Sequence, residues 1–265
     1  TVGLPLPKQT PAAPRRLVLL PHQEIEYQAF KLYDLILAIG GIGSGKTTSL
    51  VLWLLDRMQW DTGQVHALFA LTTVQVRAIQ RLLYKQSNRL GIRHVTNKRP
   101  PAKWVKLWER RGIKTPPAQD RYENIVIFEN GLHLQLGTLN AYEQHRGAEW
   151  GSLAVEEFGL RRVHRDAIDF LFERTRCGDS DSDAGFDCAV ELGHRHTKIL
   201  HSNPPEAADH WSWSLLETLA KEAKRVAKER GVDVGDDDGS GGSEEEDYRL
   251  LIRGYGSAIL IPSRT

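Results

Sequence analysis

The chain has 265 residues, 40% hydrophobic and 26% charged, with a formal net charge of +1, which suits one large α/β domain with a small appendage. No run approaches the ~18 apolar residues of a membrane span, and the Pro-rich start lacks a signal-peptide core. Two cysteines give no disulfide framework, so the expectation is a soluble protein of a reducing, intracellular compartment, with no membrane partner.

The near-zero total hides an asymmetry. Between Arg77 and Arg121, thirteen Lys and Arg face two acids, Glu109 and Asp120, while the compensating acids come later, in Asp179–Asp187 and Asp233–Asp247. A basic middle on a neutral chain suggests either a polyanion partner or a scattered basic surface.

In chain order, residues 1–16 carry four prolines and little periodicity, and read as an arm. Pro21-His22-Gln23 leads into a predicted helix over Glu24–Tyr33. A Gln there can read an adenine edge with its two-faced amide, or simply open a helix at the surface. Leu35–Ile39 is a strand-length apolar run. It is followed by Gly40-Gly41-Ile42-Gly43-Ser44-Gly45-Lys46-Thr47-Thr48, which fits the pattern G-x-x-x-x-G-K-[ST] at every fixed position. A helix is predicted from Thr48 to Met58. Strand, glycine turn and helix N-terminus together make an anion site, because unpaired N–H groups and the positive end of the helix dipole converge there. Lys46 would bridge the β- and γ-phosphates of a nucleotide, and the Thr47 hydroxyl would hold Mg²⁺.

His66–Leu71 reads as a second buried strand, with Thr72 or Thr73 capping a helix over Val74–Leu90. That helix has an apolar face and a stripe of Arg77, Arg81, Lys85 and Arg89, either solvated or tracking phosphates. Residues 97–121 look like a basic insertion. Its Trp104 and Trp108 would serve either to stack on nucleic acid or to pin the insertion to its own domain. Glu123–Glu129 and Leu132–Gly137 flank Asn130-Gly131, a hairpin signal.

Leu153-Ala154-Val155 then runs into Glu156-Glu157. Two adjacent acids at the end of a strand leave it in different directions, so Glu156 could face a metal and Glu157 could act as general base on water. A helix is predicted over Val163–Arg176 and a strand over Thr197–His201. Asn203, in Ser202-Asn203-Pro204, would lie beside a terminal phosphate and sense its presence. Arg146-Gly147 offers a cation for charge developing in the transition state, in competition with Arg161, Arg162, Arg174 and Arg176. Cys177, Cys188, His194 and His196 match no usual zinc-finger spacing. A helix is predicted over Trp211–Arg230, residues 232–247 read as an acidic flexible linker, and 248–265 as two further strands beginning a linker subdomain.

This set resembles the ATPase domain of the large terminase subunit, the DNA-packaging motor of tailed bacteriophages. The likeness runs from about Pro21 to Trp211. It rests on the order of Pro21-His22-Gln23, the loop at Gly40–Thr47, the hairpin to Gly137, Arg146-Gly147, the Val155-Glu156-Glu157-Phe158 acid pair and Ser202-Asn203-Pro204. It implies a RecA-like (ASCE-type) P-loop NTPase over residues 17–231, with a mainly parallel central sheet flanked by helices, the basic insertion and a small C-terminal extension. It also implies ATP with Mg²⁺, double-stranded DNA, a homo-oligomeric ring on a procapsid portal with a small terminase subunit, and a location in the host cell cytoplasm. By the same resemblance Glu157 is the catalytic carboxylate, Asn203 the coupling residue, and Arg146 an arginine given to a neighbouring subunit. The family's usual Asp-Glu pair is Glu-Glu here. Its RNase H-like nuclease finds no room after Asp247, so nuclease activity is not expected of this chain. A small-molecule phosphotransferase and a non-hydrolysing nucleotide-dependent DNA-binding module remain as alternatives.

Overall fold

The apolar run before the glycine loop forms strand β1, Leu35–Gly40, in which Leu35 to Ala38 are buried. The computed structural model describes residues 20, 23–24, 26–28, 35–41, 43–60, 63–175, 197–204, 209–215, 217–218, 249–252 and 256–263. The expected arm at 1–16, the linker at 232–247 and the Cys177–His196 set lie outside these residues, as does most of the helix predicted after Trp211.

After β1 come helix α1 (Lys46–Trp60), β2 (Val65–Ala70), α2 (Thr73–Arg89), β3 (His94–Thr96), α3 (Ala102–Arg111), β4 (Ile125–Phe128) and β5 (His133–Thr138). A 3-10 segment (Leu139–His145), β6 (Leu153–Glu156), α4 (Arg165–Arg174), β7 (Lys198–Ser202), β8 (Arg249–Ile252) and β9 (Gly256–Ser263) complete the order. Among the described residues the strands make one sheet in the order β3-β4-β5-β2-β6-β7-β1-β9-β8. The pairs from β5 through to β9 are parallel, and the two edges, β3-β4-β5 and β9-β8, are antiparallel.

Because both faces of the central strands are covered, they read as unbroken apolar runs rather than as alternating ones. Successive side chains feed two cores. Ile36, Leu68, Ala154 and Ile199 pack with Leu50, Trp53 and Leu54 of α1 and Val76, Ile79 and Leu83 of α2. Leu35, Leu37, Phe69, Val155 and Leu200 pack on the other face with Ile168 and Leu171 of α4, and with Trp211 and Leu215. Thr72 closes α2 with a reciprocal cap: its side chain accepts from the Gln75 N–H, and the Gln75 side chain accepts from the Thr72 N–H.

Three findings refine the sequence reading. The strands expected in 248–265 extend the main sheet, where a separate linker subdomain was expected to begin. β9 runs parallel beside β1, from Leu35↔Ala258 to Gly40↔Ser263, and so satisfies backbone groups that an edge strand would leave open. The hairpin is present, with Ile127↔His133 closing on the Asn130-Gly131 turn. The insertion contributes α3, whose Trp104 and Trp108 are 3% and 4% exposed and pack on Ile125 and Ile127. The Trp108 indole N–H donates to the Glu129 carbonyl at 2.6 Å. Of the two roles left open for these tryptophans, the structure has the pinning one.

Trp108→Ala is therefore expected to lower folding stability by about 3–5 kcal/mol, as for other buried aromatics, in chemical denaturation. A stacking role on nucleic acid would instead leave the midpoint in place and weaken single-strand binding. Val126 and Phe128 face the core under α2 while Ile125 and Ile127 face α3. The basic middle of the chain is thus divided between opposite faces of the antiparallel edge. Arg77, Arg81, Lys85 and Arg89 are all exposed on α2.

Candidate functional site

The site forms where β1 turns into α1. Gly43 and Gly45 have φ of +83° and +86°, a backbone region that costs side-chain-bearing residues about 1–2 kcal/mol. At Gly45 a Cβ would also fall 2.5 Å from Gln23 Nε2. The Thr48 and Ser49 N–H groups donate to the Gly45 carbonyl at 2.9 and 3.1 Å, which carries the loop directly into the helix. Ile42 lies outside the described residues.

Lys46, the first residue of α1, is buried, 7% exposed. Its ammonium donates to the carbonyls of Gly40 (2.7 Å) and Gly41 (3.0 Å), to Asn203 Oδ1 (3.1 Å) and to Ser44 Oγ (3.3 Å). These acceptors are all neutral, and the Glu156 carboxylate is near enough to feel the charge. A buried ammonium with exchangeable carbonyl partners is suited to take up phosphate oxygens.

Two strands away β6 delivers the acids, since β7 lies between β1 and β6. Glu156 is 5% exposed. Its Oε1 accepts from the Thr47 hydroxyl at 2.6 Å. Its Oε2 accepts no hydrogen bond among the described residues and lies 3.5 Å from His201 Nδ1, an ion pair. Burial would raise the Glu156 carboxyl, but His201, the Thr47 hydroxyl and the Lys46 ammonium outweigh it and hold it below the usual range. Burial would lower His201, but Glu26 and Glu156 on either side push it up to about 10. The donor set Thr47 Oγ1 and Glu156 Oε1, two hard oxygen ligands 2.6 Å apart, fits Mg²⁺, which takes one or two protein oxygens and completes its shell with phosphate and water.

Glu157 follows at φ +60°, left-handed backbone that stores about 1–3 kcal/mol in a non-glycine residue and persists only where its surroundings enforce it. Here β7 enforces it. The Phe158 N–H donates to the His201 carbonyl at 3.2 Å, and the Gly159 N–H to Ser202 Oγ at 2.9 Å. The Asn203 amide donates to both Glu157 carboxylate oxygens, at 3.3 and 3.4 Å. One side chain therefore joins the loop's ammonium, through Oδ1, to the second acid, through Nδ2.

The structure brings Lys46, Thr47, Glu156, Glu157 and Asn203 into one cluster. Gln23 stands behind it, 5% exposed, with both faces of its amide engaged: Oε1 accepts from the Leu20 N–H and Nε2 donates to the Gly45 carbonyl, each at 3.0 Å. Expected as an adenine reader, it braces the glycine loop here, since a buried amide must be satisfied on both sides. Arg146 is not brought into the cluster. Its side chain is 73% exposed and meets Glu143 at 3.7 Å. The neighbouring His145 packs edge-on against Phe69, and a Cβ at Gly137 would fall 2.2 Å from the same Phe69 ring. Sequence reasoning missed Glu26 and His201. The available signals were a Glu three residues after Gln23, on the same helical face, and a His closing an apolar strand.

No family model matches the chain, and no curated protein does. Among solved structures it is similar to the large terminase of a thermophilic bacteriophage, with a TM-score of 0.51 at 13% identity over 76% of this chain and 43% of that one. It also matches a point mutant of the ATPase domain of the Thermus phage P74-26 large terminase (TM-score 0.47, 11% identity, 74% and 69%). A third match is the large terminase of bacteriophage HK97 (TM-score 0.47, 15% identity, 79% and 37%). The first likeness establishes the fold, a RecA-like α/β sheet with the glycine loop at its centre. The chain spans under half the length of that terminase.

Proposed function

We propose that this chain is the ATP-hydrolysing motor domain of a viral large terminase subunit, driving double-stranded DNA into a procapsid. The observation that carries the reading is the Asn203 amide, which links the loop ammonium of Lys46 to the carboxylate of Glu157 beside the Thr47–Glu156 pair. The likeness in fold to a phage large terminase supports the choice of polymer.

In this account the loop N–H groups and Lys46 hold the β- and γ-phosphates, and Lys46 exchanges backbone carbonyls for phosphate oxygens. Thr47 and Glu156 hold Mg²⁺, which when bound offsets charge on the phosphate oxygens. Glu157 orients the attacking water and accepts its proton. Asn203 loses one partner when Lys46 turns to phosphate, so occupancy of the loop changes the restraint on Glu157. Gln23 couples the adenine side to the loop through Gly45. Arg146 acts on a neighbouring subunit of a ring. A portal, a small terminase subunit and the host cytoplasm complete the proposed setting.

Phosphate release from ATP, with and without duplex DNA, tests this. Slow basal turnover that rises with DNA is expected. Turnover only with a small hydroxyl acceptor would indicate a phosphotransferase instead, and nucleotide binding without any turnover a switch.

A further inference from the structure

Strand β7 and Asn203, the residue just after it, together meet both acids. The contact with Glu157, through Asn203, belongs to the mechanism above, whereas the contact with Glu156 has no part in it. His201 is fully buried and sits in register between Ala38 of β1 and Glu156 of β6. Its Nε2 pairs with Glu26 Oε1, and its Nδ1 lies 3.5 Å from Glu156 Oε2. Glu26 is itself 1% exposed and lies about one helical turn after Gln23. Glu156 in turn accepts from Thr47. Four side chains, Glu26, His201, Glu156 and Thr47, therefore form one buried polar line, in which the His201–Glu156 link is an ion pair at 3.5 Å rather than a hydrogen bond. It runs from the helical residues that brace the glycine loop, across the sheet, to the start of α1.

Such a line is costly to bury. Each ion gives up its hydration before it gains a partner, and apolar residues of similar volume are often at least as stable. What a fixed partner supplies that packing does not is orientation. A Glu carboxylate turns about its last torsion with little restraint. A partner at Oε2 fixes that turn and so decides where Oε1 lies.

We infer that His201 is a positioning residue for the metal site. It sets the Glu156 carboxylate against Thr47, ready for a divalent cation arriving with the nucleotide, and through Glu26 it ties that setting to the helical residues that include Gln23. The inference rests on the proposed role of Thr47 and Glu156 as metal-holding residues.

Two near-isosteric substitutions separate the two ends of the ring. In His201→Gln the amide nitrogen falls near Nε2, keeping Glu26 and abandoning Glu156; in His201→Asn it falls near Nδ1 and does the reverse. Binding of a fluorescent non-hydrolysable ATP analogue to the full chain would be titrated with Mg²⁺, and measured separately in EDTA. His201→Gln should raise the Mg²⁺ concentration at half-saturation about tenfold, the lower end of what loss of a ligand-orienting partner usually costs. His201→Asn, which keeps a partner for Glu156 and loses the tie to Glu26, should raise it by less, and metal-free binding should be equal in all three. A packing role would lower the melting temperature of both variants alike and leave the Mg²⁺ requirement unchanged, which overturns the inference.

Should the His201 variants not fold, Glu26→Gln gives the same readout: a raised Mg²⁺ requirement supports the inference and an unchanged one overturns it. If the wild type binds the analogue with no dependence on Mg²⁺, the metal-site reading falls and takes this inference with it. Mg²⁺ dependence in the wild type with no change in the variants sinks the inference alone.

Discussion

Arg146→Ala is expected to leave ATP binding intact and to lower assembly-dependent hydrolysis by about 10³–10⁵-fold, the range found where an arginine stabilises charge on a transferring phosphoryl group. The reason is positional. The side chain is 73% exposed and its ion partner is Glu143 on the same loop, at 3.7 Å. An exposed pair of this kind contributes about 0–1 kcal/mol, so the arginine can leave it readily. Seated outside its own cluster of Lys46, Glu156 and Glu157, it is suited to a site on another copy. Turnover by isolated subunits should therefore hardly change, and the loss should appear only in assembled rings. Equal turnover in rings of wild type and variant would refute the role. Weakened ATP binding would place Arg146 in its own subunit's site.

The second large effect belongs to Glu157→Gln. The amide keeps the length of the side chain and a hydrogen-bonding partner for Asn203, but it cannot take a proton from water. Hydrolysis is expected to fall about 10²–10⁴-fold, the usual contribution of a general base, with nucleotide affinity close to wild type. Single-turnover phosphate release alongside equilibrium binding distinguishes this from a binding defect. Because Glu157 sits at φ +60°, its strain is part of the folded state. Asn, which tolerates left-handed backbone better than most residues, should fold at least as well at this position while being equally inactive. A residue selected only for stability would not show that pattern.

The local parts of this site were legible in the sequence. The loop at Gly40–Thr48, the strand ending in Glu156 and the Asn130-Gly131 hairpin each carry a short-range signature that physical chemistry fixes: positive φ, an apolar run, a tight turn. The long-range pairings were legible only where spacing resembled a known family. Lys46 and Asn203 meet across 157 residues and His201 and Glu26 across 175, and nothing local to Glu26 marks it as one end of a buried ion pair. The place of β9 beside β1 was equally silent, because an apolar strand near a chain's end fits either edge of a sheet. Trp104 and Trp108 were ambiguous for a different reason. Aromatic residues among cations look alike whether they face solvent or β4, and the burial that decides between these is a property of the packed hairpin.

A structure with a non-hydrolysable ATP analogue and Mg²⁺ tests the central claim most directly. The account predicts Lys46 Nζ moved from the carbonyls of Gly40 and Gly41 onto phosphate oxygens, Thr47 and Glu156 on the metal, and the Glu157 carboxylate facing the terminal phosphate. A triphosphate bound elsewhere, or both carboxylates turned away from it, would contradict the account.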